Sequence, residues 1–284
     1  MAQLSVIRAE ILLRLRDQGS RVVTNGNVDT LINDALEEFV NATEEIRQEN
    51  AFAVTAKQFD IAAPSDIIKP ISAMWMPTQS PIEIVSHHEF LDRGGYNLIE
   101  SGVPQFMMME GTSSNYRFRL FPAPASTSAT TTILDTGGIN SSVTTIGVAA
   151  VSGLRLPAGW LLIESEKILY QNYSTLDLTL VRRGMAGTTA ASHADLVAVT
   201  QLDLHVIYAR KAATLSADGD IPEIDARWHK ALVYKVLSMA LKLEGRVDEA
   251  EIEEGLYQKA VTDARRNIRR VQGASPSAIS GNFY

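Results

Sequence analysis

Between residues 130 and 200 the chain shows almost no helical period, although strongly helical sequence lies on both sides, and this limits the possible folds more than any other feature. The stretch opens with "TTTILDTGGINSSVTTIGVAAV", rich in Thr, Ser, Val and Gly. Further on, "WLLIESEKILYQNY" reads as two strands turning near Glu164 to Lys167, and "LDLTLVRRG" alternates Leu176, Leu178 and Leu180 with Asp177, Thr179 and Val181. Immediately outside it, "YRFRLFPAP" (116–124) and "LDLHVIYAR" (202–210) also have the period of strands, and are expected to pair as neighbours once the intervening residues are lifted out. The pattern predicts a small all-β barrel or sandwich at 130–200, inserted at a loop tip of a host domain, where insertions are tolerated.

The host sequence is mostly helical. Residues 1–20 form an amphipathic pattern broken by Arg8, Glu10, Arg14, Arg16 and Asp17, which neither a signal-peptide core nor a membrane span accommodates. A second helix is read from Asn27 as N-cap, with Val28, Leu31, Ile32, Ala35, Leu36, Phe39, Val40 and Ile46 on one face. Pro64, Pro70, Pro77 and Pro81 then divide short extended pieces, and a brief helix follows between Ser86 and Gly94. Trp228, Leu232, Val236, Met239 and Leu243, widened by Val233, Leu237 and Leu241, predict a central helix stopped by Gly245. The last helix places Tyr257, Val261, Ala264, Ile268 and Val271 on one stripe. It begins with Asp248, Glu249, Glu251, Glu253 and Glu254 and ends with Arg265, Arg266, Arg269 and Arg270, matching its macrodipole. The resulting fold class is α+β: a helical bundle host domain with a short β segment (1–129 and 201–272), an inserted all-β domain (130–200) and an extended C-terminal tail (273–284).

Chemistry is sparse. With no cysteine there is no disulfide, thiolate ligand or thiol nucleophile. The net charge of −7 provides no general field for gripping nucleic acid. The five histidines lack metal-ligand spacing, and Asp218-Gly219-Asp220 lacks the rest of a calcium loop, so it reads as a solvated turn before a helix. No Gly-x-Ser-x-Gly elbow occurs. The "RRGMAGTT" run at 182–189 resembles a phosphate cradle, but it lacks the Lys-Ser/Thr pair and a following helix, and reads instead as a turn in a packing module. No catalytic, cofactor or metal residue emerges, and the chain is expected not to be an enzyme. The candidates for partner binding are Arg265, Arg266, Arg269 and Arg270, together with Phe283 and Tyr284 at the end of the tail.

The segments "SGVPQFMMMEG", with Gly102 to Pro104, and "YRFRLFPAP", with Leu120 to Pro124, can be read with the tyrosine strand followed by Asp220, Ile221, Pro222, Trp228 and His229. In this order they resemble the head-to-tail connector adaptors of tailed bacteriophages. "IESEKILY" and "TLVRRGMAGTTAASHA" resemble a β module that recurs in phage structural proteins. The resemblance implies a homo-oligomeric ring, twelve subunits in the family pattern, docked below the portal protein in the virion neck. Such a ring surrounds a channel for DNA that passes without specific binding, offers a platform to a downstream tail or neck protein, and involves no membrane. It would be made in the host cytoplasm. Two alternatives stand beside it: a tail-associated carbohydrate-binding protein with 130–200 as the binder, or another tail structural protein; and a hydrolase whose site is assembled from distant residues.

Overall fold

The computed structural model describes residues 2–15, 25–95, 100–112 and 115–273. Arg16, Asp17, Phe283 and Tyr284 lie outside them, as does the side chain of Val271. The fold is α+β, and the chain divides into two compact units, Met1–Arg47 with Ala209–Tyr284 and Gln48–Tyr208. Among the described residues there are five α-helices: α1 (Leu4–Leu15), α2 (Asn25–Thr43), α3 (His87–Asp92), α4 (His229–Leu243) and α5 (Val247–Gly273).

In the first unit α4 packs against α1, α2 and α5. Helix α1 buries Leu4, Ile7, Ile11 and Leu15, and α2 buries Val28, Ile32, Ala35, Leu36, Phe39 and Val40, each along one helical stripe. Arg8 joins the two, with Nε and Nη2 on the Asp29 carboxylate at 2.7 and 2.8 Å. Helix α2 starts at Asn25, so Asn27 lies in its first turn instead of capping it. Helix α4 is buried on most sides, through Ala231, Leu232, Val233, Val236, Leu237, Ala240 and Leu241. Its two ends depart from the sequence reading. Trp228 belongs to a preceding 3-10 turn capped by Asp225, and Leu243 is 72% exposed because α4 ends there. Gly245, at φ +78°, reverses the chain, and Arg246 N–H donates to Leu241 O across the turn. Lys235 is buried in α4 with its ammonium 2.7 Å from Glu38 and 3.3 Å from Glu254, and it lies over the Tyr257 ring of α5.

The second unit contains a seven-stranded sheet in the order Arg47–Phe52, Leu204–Arg210, Ile67–Trp75, Ser80–Ile84, Phe106–Glu110, Arg117–Phe121, Asp60–Ala62. The expected pairing of the 116–121 and 202–210 strands is therefore not formed, since three strands stand between them. They meet instead across a core, because the sheet curls. Phe118, Leu120, Leu204, Val206 and Tyr208 belong to one buried cluster with Ile61, Ile67, Trp75, Ile82 and Met107. Phe52, from the first strand of that order, sits edge-on to Phe118, from the last but one, at 5.6 Å. Period two puts Phe121 on the other face, with Val85, Phe90 and Met108. Helix α3 covers that face and opens with Ser86 and Glu89 in a capping box.

Residues 130–202 supply two more sheets. One has the order Arg182–Met185, Glu166–Tyr170, Gly159–Ile163, Ala198–Leu202, Thr130–Thr132, and the other Thr145–Gly147, Asp177–Thr179, Asn172–Ser174. Both contribute to a separate buried cluster that includes Ile133, Ile146, Leu161, Ile163, Ile168, Tyr170, Leu178 and Val199. Leu176 and Leu180 are exposed, because they flank the short strand whose middle residue, Leu178, points inward. The entry and exit of this stretch are paired: Thr130 opposes Thr200, and Gln201 N–H donates to Ala129 O at 2.8 Å.

If Phe52 closes the curled sheet on Phe118, a double-mutant cycle with Phe52→Ala and Phe118→Ala should give a coupling of about 0.5–1.5 kcal/mol in urea unfolding. Strict additivity would mean that the two rings do not meet.

Candidate functional site

The arginines singled out in the sequence lie on the second half of α5, and all four are exposed. They are not equivalent. Arg265 Nε donates to Ala42 O at 2.6 Å, so it satisfies a carbonyl at the end of α2. Arg266 faces Asp263 at 3.6 Å, an exposed pair of little energetic weight. Arg269 and Arg270 continue the positive face toward the helix end. The first half of α5 is different in kind: Asp248, Glu249, Glu251 and Glu253 alternate with the exposed apolar residues Val247 (52%), Ile252 (66%) and Leu256 (41%). Glu253 Oε2 is buried without a hydrogen-bond partner, and burial raises the pKa of its carboxyl. One helix thus carries an acidic, partly apolar surface and a basic one.

The "RRGMAGTT" run forms an anion nest, and the anion is the chain's own. Glu166, 1% exposed at its side chain, receives Arg183 Nε on Oε1 and Nη2 on Oε2, both at 2.7 Å. Gly184 N–H and Ala191 N–H add bonds of 3.0 and 3.1 Å. His193 Nε2 lies 2.7 Å from Oε2 and its Nδ1 2.7 Å from Glu164, so a ring donating from both nitrogens satisfies both carboxylates. Burial alone would raise the Glu166 pKa. Arg183, the Ala191 amide, His193 and the Gly184 amide outweigh it and hold the carboxyl at about 2. A phosphate therefore finds these amides already engaged. The network is not visible in the sequence, because Glu166 falls in the stretch Glu164 to Lys167 that carries the turn signal. The available signal was its parity, since it shares the inward face of its strand with Ile168 and Tyr170.

The remaining candidates are held in structural contacts. His229 is buried between Ala2 N and Ile224 O, each at 3.2 Å, and His205 contacts Glu49 at 3.5 Å and the Trp160 ring. Asp220 accepts from Ser216 and Ala217 N–H at 2.7 and 2.8 Å, forming the expected turn, and Asp218 pairs with Arg8. Among the described residues no group of His, Asp and Glu could hold a metal ion, and no helix is long and apolar enough to cross a membrane.

The low pKa of Glu166 ties stability to acid. Its contribution is complete above the ordinary carboxyl pKa of 4.5 and is lost as pH falls toward about 2, roughly 3 kcal/mol in all. Urea unfolding between pH 6 and 2.5 should therefore show a steep acid loss in the native protein. Glu166→Gln should be less stable at pH 6 and lack that part of the slope; equal slopes would remove Glu166 as the cause.

Charge is segregated along α5, and the buried ionic network around Glu166 has its donors and acceptors engaged with one another. No curated protein sequence matches the chain. A family model, described as SU10 adaptor protein, matches residues 2–279 and so spans both compact units. The chain belongs to the SU10 adaptor protein family of phage structural proteins.

Proposed function

We propose that the protein is a head-to-tail connector adaptor, a subunit of a twelve-membered ring that docks beneath the portal, surrounds the path of the DNA and receives the next neck or tail component. The observation that carries this reading is the division of α5. An exposed acidic half studded with Val247, Ile252 and Leu256 and an exposed basic half at Arg266, Arg269 and Arg270 are two different surfaces that complement each other. Complementary but non-identical surfaces make heterologous contacts, which close into rings by rotation. A net charge of −7 agrees with a channel that does not retain DNA, since tight retention requires many cationic phosphate contacts. In this reading residues 1–129 and 201–272 form the helical host domain with its β segment. Residues 130–200 are an inserted module, and the tail from 273, with Phe283 and Tyr284, reaches the portal.

Reversing Arg266, Arg269 and Arg270 to glutamate should leave helical circular dichroism unchanged and weaken ring or portal association in electron microscopy and sedimentation. The native contact should weaken with salt, as exposed charges are screened over about 8 Å at physiological ionic strength. Arg265 is kept in this variant because it also holds α2. Assembly equal to the native protein would sink the interface assignment.

The module reading has its own test. Replacing Thr131–Thr200 with a short Gly/Ser linker should give a folded helical protein, because Ala129 and Gln201 are already bonded to each other. Insolubility or loss of helical circular dichroism would count against it.

A further inference from the structure

The two parts of the anion nest come from different segments. The carboxylate stands on the strand Glu166–Tyr170, while its donors lie between Arg183 and His193. Oε1 is held by Arg183 Nε and Gly184 N, and Oε2 by Arg183 Nη2, Ala191 N and His193 Nε2. The backbone is shaped for this. Gly184 has φ +61°, and a Cβ there would lie 3.0 Å from Ala190 N and 3.1 Å from Thr188 O, a close approach that glycine accommodates without a shift. A guanidinium fork that spans two oxygens, with further donors on each oxygen, is the recognition geometry of a carboxylate. Nothing in it requires the carboxylate to be covalently attached.

We propose that the segment from Arg183 to His193 is a carboxylate-binding site in its own right, with Glu166 as a built-in ligand, and that it accepts a free small carboxylate when that ligand is removed. Glu166→Ala deletes a CH₂–COO⁻ group, which has the heavy atoms of acetate, and leaves the Arg183 fork, the Gly184 and Ala191 amides and the His193 ring in place. Acetate fills the vacancy, formate fills it in part, and chloride cannot bridge both ends of the fork. The inference is independent of the connector reading.

The test is thermal melting of full-length Glu166→Ala at pH 7 and constant ionic strength, with sodium chloride exchanged stepwise for sodium acetate or formate. The expected result is a lowered melting temperature that rises with the logarithm of acetate concentration above its dissociation constant, by roughly 3 °C at tenfold excess. The native protein should not respond, and neither should Glu166→Gln, whose side chain still fills the site. Adding Arg183→Met to Glu166→Ala should abolish the response. Should Glu166→Ala not fold in chloride, its refolding yield from urea in acetate against chloride gives the same reading. Equal effects of chloride and acetate, a response of Glu166→Gln matching that of Glu166→Ala, or no recovery in acetate would overturn the proposal.

Discussion

The backbone hydrogen bond from Gln201 N–H to Ala129 O ties together the two ends of residues 130–200, and the groups around it depend on that closure. Residues 130–200 leave and return at neighbouring points, where Thr130 opposes Thr200. Buried polar groups reinforce the same point. Ser128 Oγ donates to Asp203 at 2.7 Å and accepts from Val54 N–H at 2.9 Å, and Gln201 bonds Asp203 at 3.2 Å and receives Arg155 N–H at 2.6 Å. Each of these groups depends on the others for its partners, so a slip in register would leave several of them desolvated and unpaired.

Above this root the contacts are lighter. Gln48 reaches Ala186 O at 3.1 Å, and Lys167 bonds Asn50 and lies over the Phe52 ring at 5.0 Å. A small apolar group of Ala51, Trp160 and Leu202 fills the remainder. Burial lowers the Lys167 amine to about 8, the sign of a cation held for position at some electrostatic cost. Buried charge appears in both units in the same form: Lys235 between Glu38 and Glu254, and Glu166 among Arg183, His193 and two amides. In neither place is an ion left alone, which is the condition for burying one at all.

Much of this was legible from periodicity. The stripe of α2, the Ser86 cap, the stop at Gly245 and the turn after Ile163 follow from local rules that do not depend on the rest of the fold. Strand neighbours were not legible, because alternation says which face is buried and nothing about which strand lies alongside; Phe118 and Tyr208 share a core without sharing a ladder. A stripe does not mark the ends of α4, and Leu243 fits the stripe although the helix has run out beneath it. The glycines and threonines in "RRGMAGTT" carry the turn signal in plain view. What they are built around was hidden, since the partner carboxylate lies on another strand.

The paired entry and exit also determine how residues 130–200 respond to force. Their root is the ladder Thr130–Thr200, Thr131–Val199, Thr132–Ala198, whose bonds run perpendicular to the strands. A pull applied through both strands from the far end loads these bonds one after another, so they part like a zipper at low tension. Tension along one strand alone would load them in shear and meet all of them at once. The two ends of the stretch are therefore held more strongly against sliding past each other than against being pulled apart. The direction of a load, more than its size, decides whether the root holds.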